Sequence, residues 1–158
     1  MKEKKNLLIS LSKLSKMYRA EVKTEMSDSD FSPNELDLIT FLSNNEMDTS
    51  KEIADFLGLS KSLIARSVDS LVAKGYLETN VDEGDRRYIH LVLTDRAKPI
   101  ADRLRNIRKQ FIASMTEGIN QEQFTQFEAM LEKMVANGRR RSNRARIKRI
   151  THGDGENP

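Results

Sequence analysis

The sequence predicts a mostly helical protein carrying one small β-hairpin. Three observations lead there. Apolar residues recur at spacings of three and four through most of the chain, the period of a helix with one buried face. The period changes to two only between Tyr76 and Leu93, around an Asp82-Glu83-Gly84-Asp85 turn, as a hairpin requires. Seven glycines and three prolines in 158 residues are too few for a loop-rich β-barrel.

The elements follow in order. Leu7, Leu11, Leu14, Tyr18 and Val22 make one stripe, so a helix is expected over about 5–26. The polar run Ser27-Asp28-Ser29-Asp30 breaks it. Ser32, Pro33 and Glu35 then spell a complete helix start: an N-cap hydroxyl, a proline with φ already helical, and a glutamate placed for a capping box. Leu36, Leu38, Ile39, Phe41 and Leu42 give that helix a wide buried face, ending near Asn44-Asn45. Thr49-Ser50-Lys51-Glu52 is a second capping box, opening a short helix that buries Ile53, Ala54 and Leu57. Gly58 stands where a left-handed C-terminal cap is wanted. Ser60 caps the next helix, about 61–74, which buries Ile64, Val68, Leu71 and Val72 and stops at Gly75.

Two short strands then alternate Leu77, Thr79, Val81 and Ile89, Leu91, Leu93 on one face. Thr94 is placed to cap a long helix over about 95–117, with a kink or delayed start at Pro99. After Gly118-Ile119-Asn120, a last helix over about 121–137 turns Phe124, Phe127, Leu131, Met134 and Val135 inward. Residues 139–158 lose the apolar period and are expected to form a basic, flexible tail. One domain over 1–138 accounts for the rest.

Charge is unevenly spread. Arg139, Arg140, Arg141, Arg144, Arg146, Lys148 and Arg149, set against Asp154 and Glu156, give the tail +5 of the chain's net +3, leaving −2 on residues 1–138. Net charge therefore does not mark the body as a nucleic-acid binder; the placement of charges must. Cysteine is absent, which excludes disulfides, thiolate metal sites and thiol redox sensing. No apolar run approaches the ~20 residues that cross a bilayer. Leu7-Leu8-Ile9 is interrupted at once by Ser10, so no signal-peptide core is read, and a cytoplasmic location is expected.

Functional meaning lies in the order short helix, tight turn, second helix, hairpin with a charged tip. The major groove of DNA admits one α-helix, and that helix must be held out by a partner crossing behind it. Here Ala54 permits the crossing, Gly58 the turn, and Ile64 anchors the second helix. Its outer face carries Ser60, Lys61, Ser62, Ala65, Arg66 and Asp69, a mixture of cations and hydroxyls suited to phosphates and base edges. Asp85, Arg86 and Arg87 mark the hairpin tip. A narrow minor groove attracts an inserted arginine, and an aspartate two residues earlier can hold the guanidinium by a two-pronged contact. The bland alternatives are a solvated helix face and a solvated turn. The arrangement is that of a winged helix-turn-helix.

The stretch Thr49–Thr94 resembles the multiple-antibiotic-resistance regulator (MarR) family of bacterial transcription factors. The matching pieces are Glu52-Ile53-Ala54, Gly58-Leu59-Ser60, Arg66, Val68-Asp69, Leu71, Lys74-Gly75 and the hairpin residues Asp85-Arg86-Arg87 with Leu91-Val92-Leu93-Thr94. The helix order extends the resemblance to residues 5–138. It departs at Leu63 and Ala65, where the family often has hydroxyls, and at Asp82-Glu83, where it usually has Asp-Pro. The resemblance implies a homodimer reading a roughly palindromic double-stranded DNA operator, typically as a repressor. It places Ser62 and Arg66 on the recognition helix, Arg87 in the minor groove and Asp85 behind it. It also implies a small aromatic or lipophilic effector, for which the sequence assigns no residues.

The dimer has support of its own. The stripes on 5–26, 95–117 and 121–137 exceed what a small winged lobe covers, and an apolar helix face must be buried somewhere. Leu7, Leu11, Leu14, Phe124, Phe127 and Leu131 are the expected contacts. No nucleophile–base pair, phosphate loop or metal motif is present, so no enzyme, cofactor or metal is expected. His90 reads as a solvated or phosphate-facing residue. Two other readings remain: a non-sequence-specific nucleic-acid binder driven by the tail, and a winged helix that binds protein.

Overall fold

A computed structural model describes residues 3–44 and 47–152. The elements run α1 (Glu3–Glu25), α2 (Pro33–Asn44), α3 (Ser50–Leu57), α4 (Lys61–Ala73), β1 (Leu77–Val81), β2 (Ile89–Leu93), α5 (Lys98–Met115) and α6 (Gln121–His152). The chain divides into two compact units, one ending at Ile112 and the other beginning at Ala113.

In the first unit, the capping box read at Ser32 and Glu35 forms in full, whereas at Thr49 the cap bond forms and Glu52 takes the Thr49 hydroxyl rather than its N–H. Ser32 N–H donates to Glu35 Oε2 at 2.6 Å while Glu35 N–H donates to Ser32 Oγ at 3.3 Å. At α3, Glu52 N–H reaches Thr49 Oγ1 at 3.4 Å, and that hydroxyl donates to Glu52 Oε2 at 2.7 Å. Gly58 adopts φ 65°, ψ 26°, where a Cβ would be strained. Leu59 N–H returns to Ala54 O at 3.1 Å, and the chain reverses into the Ser60 cap of α4, whose Oγ accepts from Leu63 N–H at 3.2 Å.

Leu38, Ile39, Ile53, Ile64, Leu71, Leu77 and Leu104 are the largest fully buried side chains. Each stabilises the lobe by about 1.5–3 kcal/mol. They come from α2, α3, α4, β1 and α5, so α4 is seated on α2 and α3 with the base of the hairpin beside it.

β1 and β2 pair antiparallel from Leu77↔Leu93 to Val81↔Ile89. Only the base of the hairpin is buried, at Leu77 and Leu91, while Thr79, Val81 and Ile89 are exposed. The alternating face is thus buried only in part, and the ribbon extends beyond the body. Sequence reading also missed a contribution from residues 48 and 49. Thr49 bridges His90, and Leu91 N–H donates to Asp48 O at 2.8 Å. A single bridge is too short to leave a periodic signal.

Two further expectations are corrected. Val72 lies on the exposed side of α4, because it is four residues beyond Val68 but adjacent to Leu71, which takes the inward position. Thr94 does not cap α5 with its side chain. Its hydroxyl donates to Gly75 O at 2.8 Å, closing the hairpin base. A 3-10 turn at Asp95–Ala97 intervenes, and the α-helix has the delayed start that Pro99 demands.

In the second unit, α6 opens on a reciprocal cap: Gln123 N–H donates to Asn120 Oδ1 at 2.9 Å, and Asn120 N–H to Gln123 Oε1 at 3.1 Å. The helix does not stop near 137. It continues through Gly138 and the arginine run to His152, against the expectation of a flexible tail from 139. Arginine, lysine and alanine are strong helix formers, and one interior glycine costs only about 1 kcal/mol. Residues 153–158 of the expected tail lie outside the described residues.

Candidate nucleic-acid interface

Burial divides α4 cleanly. Ile64, Ser67, Val68 and Leu71 face the core. Ser60, Lys61, Ser62, Ala65, Arg66 and Asp69 are all exposed, which gives the helix one continuous polar face. Ser60 is partly committed: besides capping α4, its Oγ lies 3.2 Å from Ser62 Oγ. Ser67, which the sequence reading passed over, turns inward and donates its hydroxyl to Leu63 O at 3.1 Å. The C-terminal half of α4 is tied to α2. Ser70 Oγ donates to the buried Glu35 carboxylate at 2.5 Å, and Lys74 Nζ reaches its two oxygens at 3.1 and 3.2 Å. The exposed face is thus carried on a helix whose far end is fastened by a long-range ion pair.

The hairpin tip is built around two aspartates. Asp82 Oδ1 accepts the N–H groups of Gly84 and Asp85, each at 2.8 Å, and so organises the turn. Asp85 then holds Arg87. Its oxygens accept from Arg87 Nε at 3.0 and 3.2 Å, from Nη2 at 2.7 Å, and from the Arg87 backbone N–H at 3.0 Å. These bonds, the guanidinium first, hold the Asp85 carboxyl below the usual carboxylate range. The Arg87 side chain nevertheless stays 86% exposed. A cation that is oriented yet solvated is suited to insertion between phosphates, since little of its rotamer freedom remains to be lost on contact. Arg86 is exposed beside it. The two-pronged clamp expected from the Asp85-x-Arg87 spacing is therefore present.

His90, read from sequence as solvated or phosphate-facing, is partly buried and paired with two carboxylates. Its Nδ1 lies 2.7 Å from Asp48 Oδ1 and its Nε2 lies 3.0 Å from Asp82 Oδ2. The two carboxylates, Asp48 first, push the imidazole above its ordinary value of 6.5. His90 in turn, together with the Asp85 and Gly84 N–H groups, lowers Asp82. No local spacing betrays this contact, because Asp48 is 42 residues away.

A cavity of about 810 Å³ opens in the first unit between α1 and α2. Tyr18, Val22, Met26, Phe31, Leu36 and Phe41 supply apolar lining, and Asp37, Thr40 and Arg108 supply polar groups. Burial raises Asp37 despite Arg19 at 3.6 Å, and raises Tyr18 despite Arg108. Tyr18 also packs against Phe111, ring centroids 5.3 Å apart. Among the described residues, no helix is long and apolar enough to cross a membrane.

Known proteins share this architecture. The sequence profile of the MarR family matches residues 29–87. The transcriptional regulator AdcR of Streptococcus pneumoniae serotype 2 is 41% identical over 64 residues, which span 40% of this chain and 44% of that protein. The chain thus matches less than half the length of that relative. A MarR transcriptional regulator from Methanosarcina mazei Go1 superposes with a TM-score of 0.74 at 20% identity, over 86% of this chain and 98% of the other. BpsR of Bordetella bronchiseptica, whose DNA binding is regulated by 6-hydroxynicotinic acid, superposes with a TM-score of 0.62 at 17% identity, over 79% of this chain and 89% of its own. Residues 29–87 are thus similar in sequence to the MarR family, and the chain shares the fold of the solved MarR regulators.

Proposed function

We propose that the protein is a sequence-specific double-stranded-DNA-binding transcriptional regulator, acting as a homodimeric repressor relieved by a small-molecule effector. The observation that carries this reading is the Arg87 guanidinium, fixed by Asp85 yet open to solvent, on a hairpin that follows directly from an exposed cationic helix face. Lys61, Ser62, Ala65 and Arg66 would meet the major groove. Ala65 can contact a thymine methyl, and the cations suit phosphates and guanine edges. Asp85, Arg86 and Arg87 would reach the flanking minor groove.

The dimer is supported by what single subunits leave uncovered. Leu7 and Leu14 on α1 are exposed, with Leu11 half-buried between them. On α6, Phe127 and Met130 are 42% and 59% exposed, with Phe124 and Leu131 half-buried. Apolar faces of this extent mark association surfaces. The cavity beside α2 is of ligand size, with an apolar lining and few polar groups, which supports a small aromatic or lipophilic effector. Such a ligand would act by preferring a dimer whose two recognition helices are out of step with the groove.

In vitro selection from random duplexes tests the reading. It should return an inverted repeat whose half-site centres lie about 34–36 Å apart, bound by a species sedimenting at twice 18.1 kDa. Recovery of no common sequence would refute it. The arginine run at the end of α6 favours one alternative, a sequence-tolerant electrostatic binder. Removing residues 139–158 distinguishes them: a contacting tail flattens the salt dependence and spares the sequence preference, whereas a purely tail-driven binder loses duplex affinity altogether.

A further inference from the structure

The ring of His90 has a carboxylate oxygen at each nitrogen, Asp48 at Nδ1 and Asp82 at Nε2. A neutral imidazole donates from one nitrogen only and would turn its other lone pair toward a carboxylate; the imidazolium donates from both. The geometry therefore selects the protonated ring. What the two partners do gives the contact its consequence. Asp48 sits immediately before Thr49, the cap of α3, and its carbonyl accepts from Leu91 N–H. Asp82 uses its other oxygen to hold the Gly84 and Asp85 N–H groups, and Asp85 holds Arg87.

We propose that protonated His90 is a positioning residue that locks the wing to the start of α3, so that loss of its proton loosens Arg87 and weakens DNA binding as pH rises. This deepens, and rests on, the DNA-binding reading above. The groups facing His90 are Asp48 from the segment before α3, Asp82 from the turn, Asn80 opposite on β1, and Lys51, Glu52, Asp55 and Tyr88 around the same hollow. Acids outnumber the single lysine among them, which favours the charged ring. The direction follows from linkage. A group with a raised folded value contributes in full below its ordinary 6.5, and that contribution is lost as pH climbs through the raised value. The relevant window is thus above 6.5, where a histidine responds to modest changes in physiological pH.

The chain has two histidines, so the full-length His152→Gln variant leaves His90 alone to be followed by NMR. Its ring should titrate with a midpoint above 6.5, and the amide protons of Gly84 and Asp85 should shift with that same midpoint. Asp48→Asn should bring the midpoint down toward 6.5. A midpoint at or below 6.5, or amides that do not follow the ring, would overturn the lock. The functional arm uses a labelled random-sequence duplex pool. Wild type should bind it at least about fivefold more weakly at about pH 8.5 than at about pH 6, and His90→Gln less than about twofold. Equal pH dependence in the two proteins would overturn the regulation. If the NMR result holds and no duplex is bound at either pH, the lock stands and the DNA-binding reading fails.

Discussion

Replacing Arg87 with alanine is expected to weaken operator binding by about tenfold or more, while leaving the thermal transition where it was. Among the described residues the guanidinium hydrogen-bonds Asp85, two residues away, and the side chain is 86% exposed. An exposed local ion pair of this kind contributes little to folding, so the loss should be confined to binding. Asp85→Asn provides the control. It leaves the charge of Arg87 in place but removes its two-pronged anchor, and should cost affinity to an intermediate degree. Arg87→Lys should fall near the alanine variant, because a lysine keeps the charge without the planar fork that Asp85 grips. Anisotropy titrations on the selected duplex measure all three. A loss smaller than about threefold for Arg87→Ala would sink the assignment of the hairpin as a DNA-contacting wing.

Glu35→Ala should be the most damaging single change outside the apolar core, lowering stability by about 2–4 kcal/mol. The carboxylate is buried and is held by the Ser32 N–H, the Ser70 hydroxyl and the Lys74 ammonium together. Alanine leaves the Lys74 ammonium to Asp30 and the Phe31 ring, strands the Ser70 hydroxyl and undoes the α2 cap in one step. The melting temperature should fall by roughly 5–15 °C. Glu35→Gln, which keeps acceptor capacity and the cap, should lose less. Burial raises the Glu35 carboxyl, but Ser70, Ser32 and Lys74 together outweigh it and leave it below its ordinary 4.5. The stabilisation is therefore complete above 4.5 and disappears as acid protonates the group. Urea unfolding at neutral pH and in acid measures both effects. A loss below about 1 kcal/mol with the ion pair removed would show that α4 is held by its apolar face alone.

Much of this molecule was legible before any coordinates, and the legible parts share one property: they depend on residues within a turn of one another. The Ser32–Glu35 and Thr49–Glu52 caps, the Gly58 reversal and the Asp85–Arg87 clamp each join groups two to five residues apart, where backbone geometry leaves few other partners. The inward faces of α2, α3 and α4 were likewise readable, because helical period fixes which side chains share a side. The start of α6 at Asn120 and Gln123 belonged to the same class and carried a signal that went unread. The run of α6 past Gly138 carries no apolar period, so periodicity does not report it, although its residues favour helix.

By itself, then, the sequence determined the order of the elements, their caps and the charged hairpin tip, since short-range sterics and hydrogen bonds settle those locally. Only the tertiary structure decided that Glu35 fastens the end of α4, that His90 sits between Asp48 and Asp82, and that α1 and α2 enclose a cavity. Those contacts join groups as far as 42 residues apart along the chain. At such separations partner choice follows from how helices and strands pack, and periodicity records only that a side chain faces inward, not what it meets there.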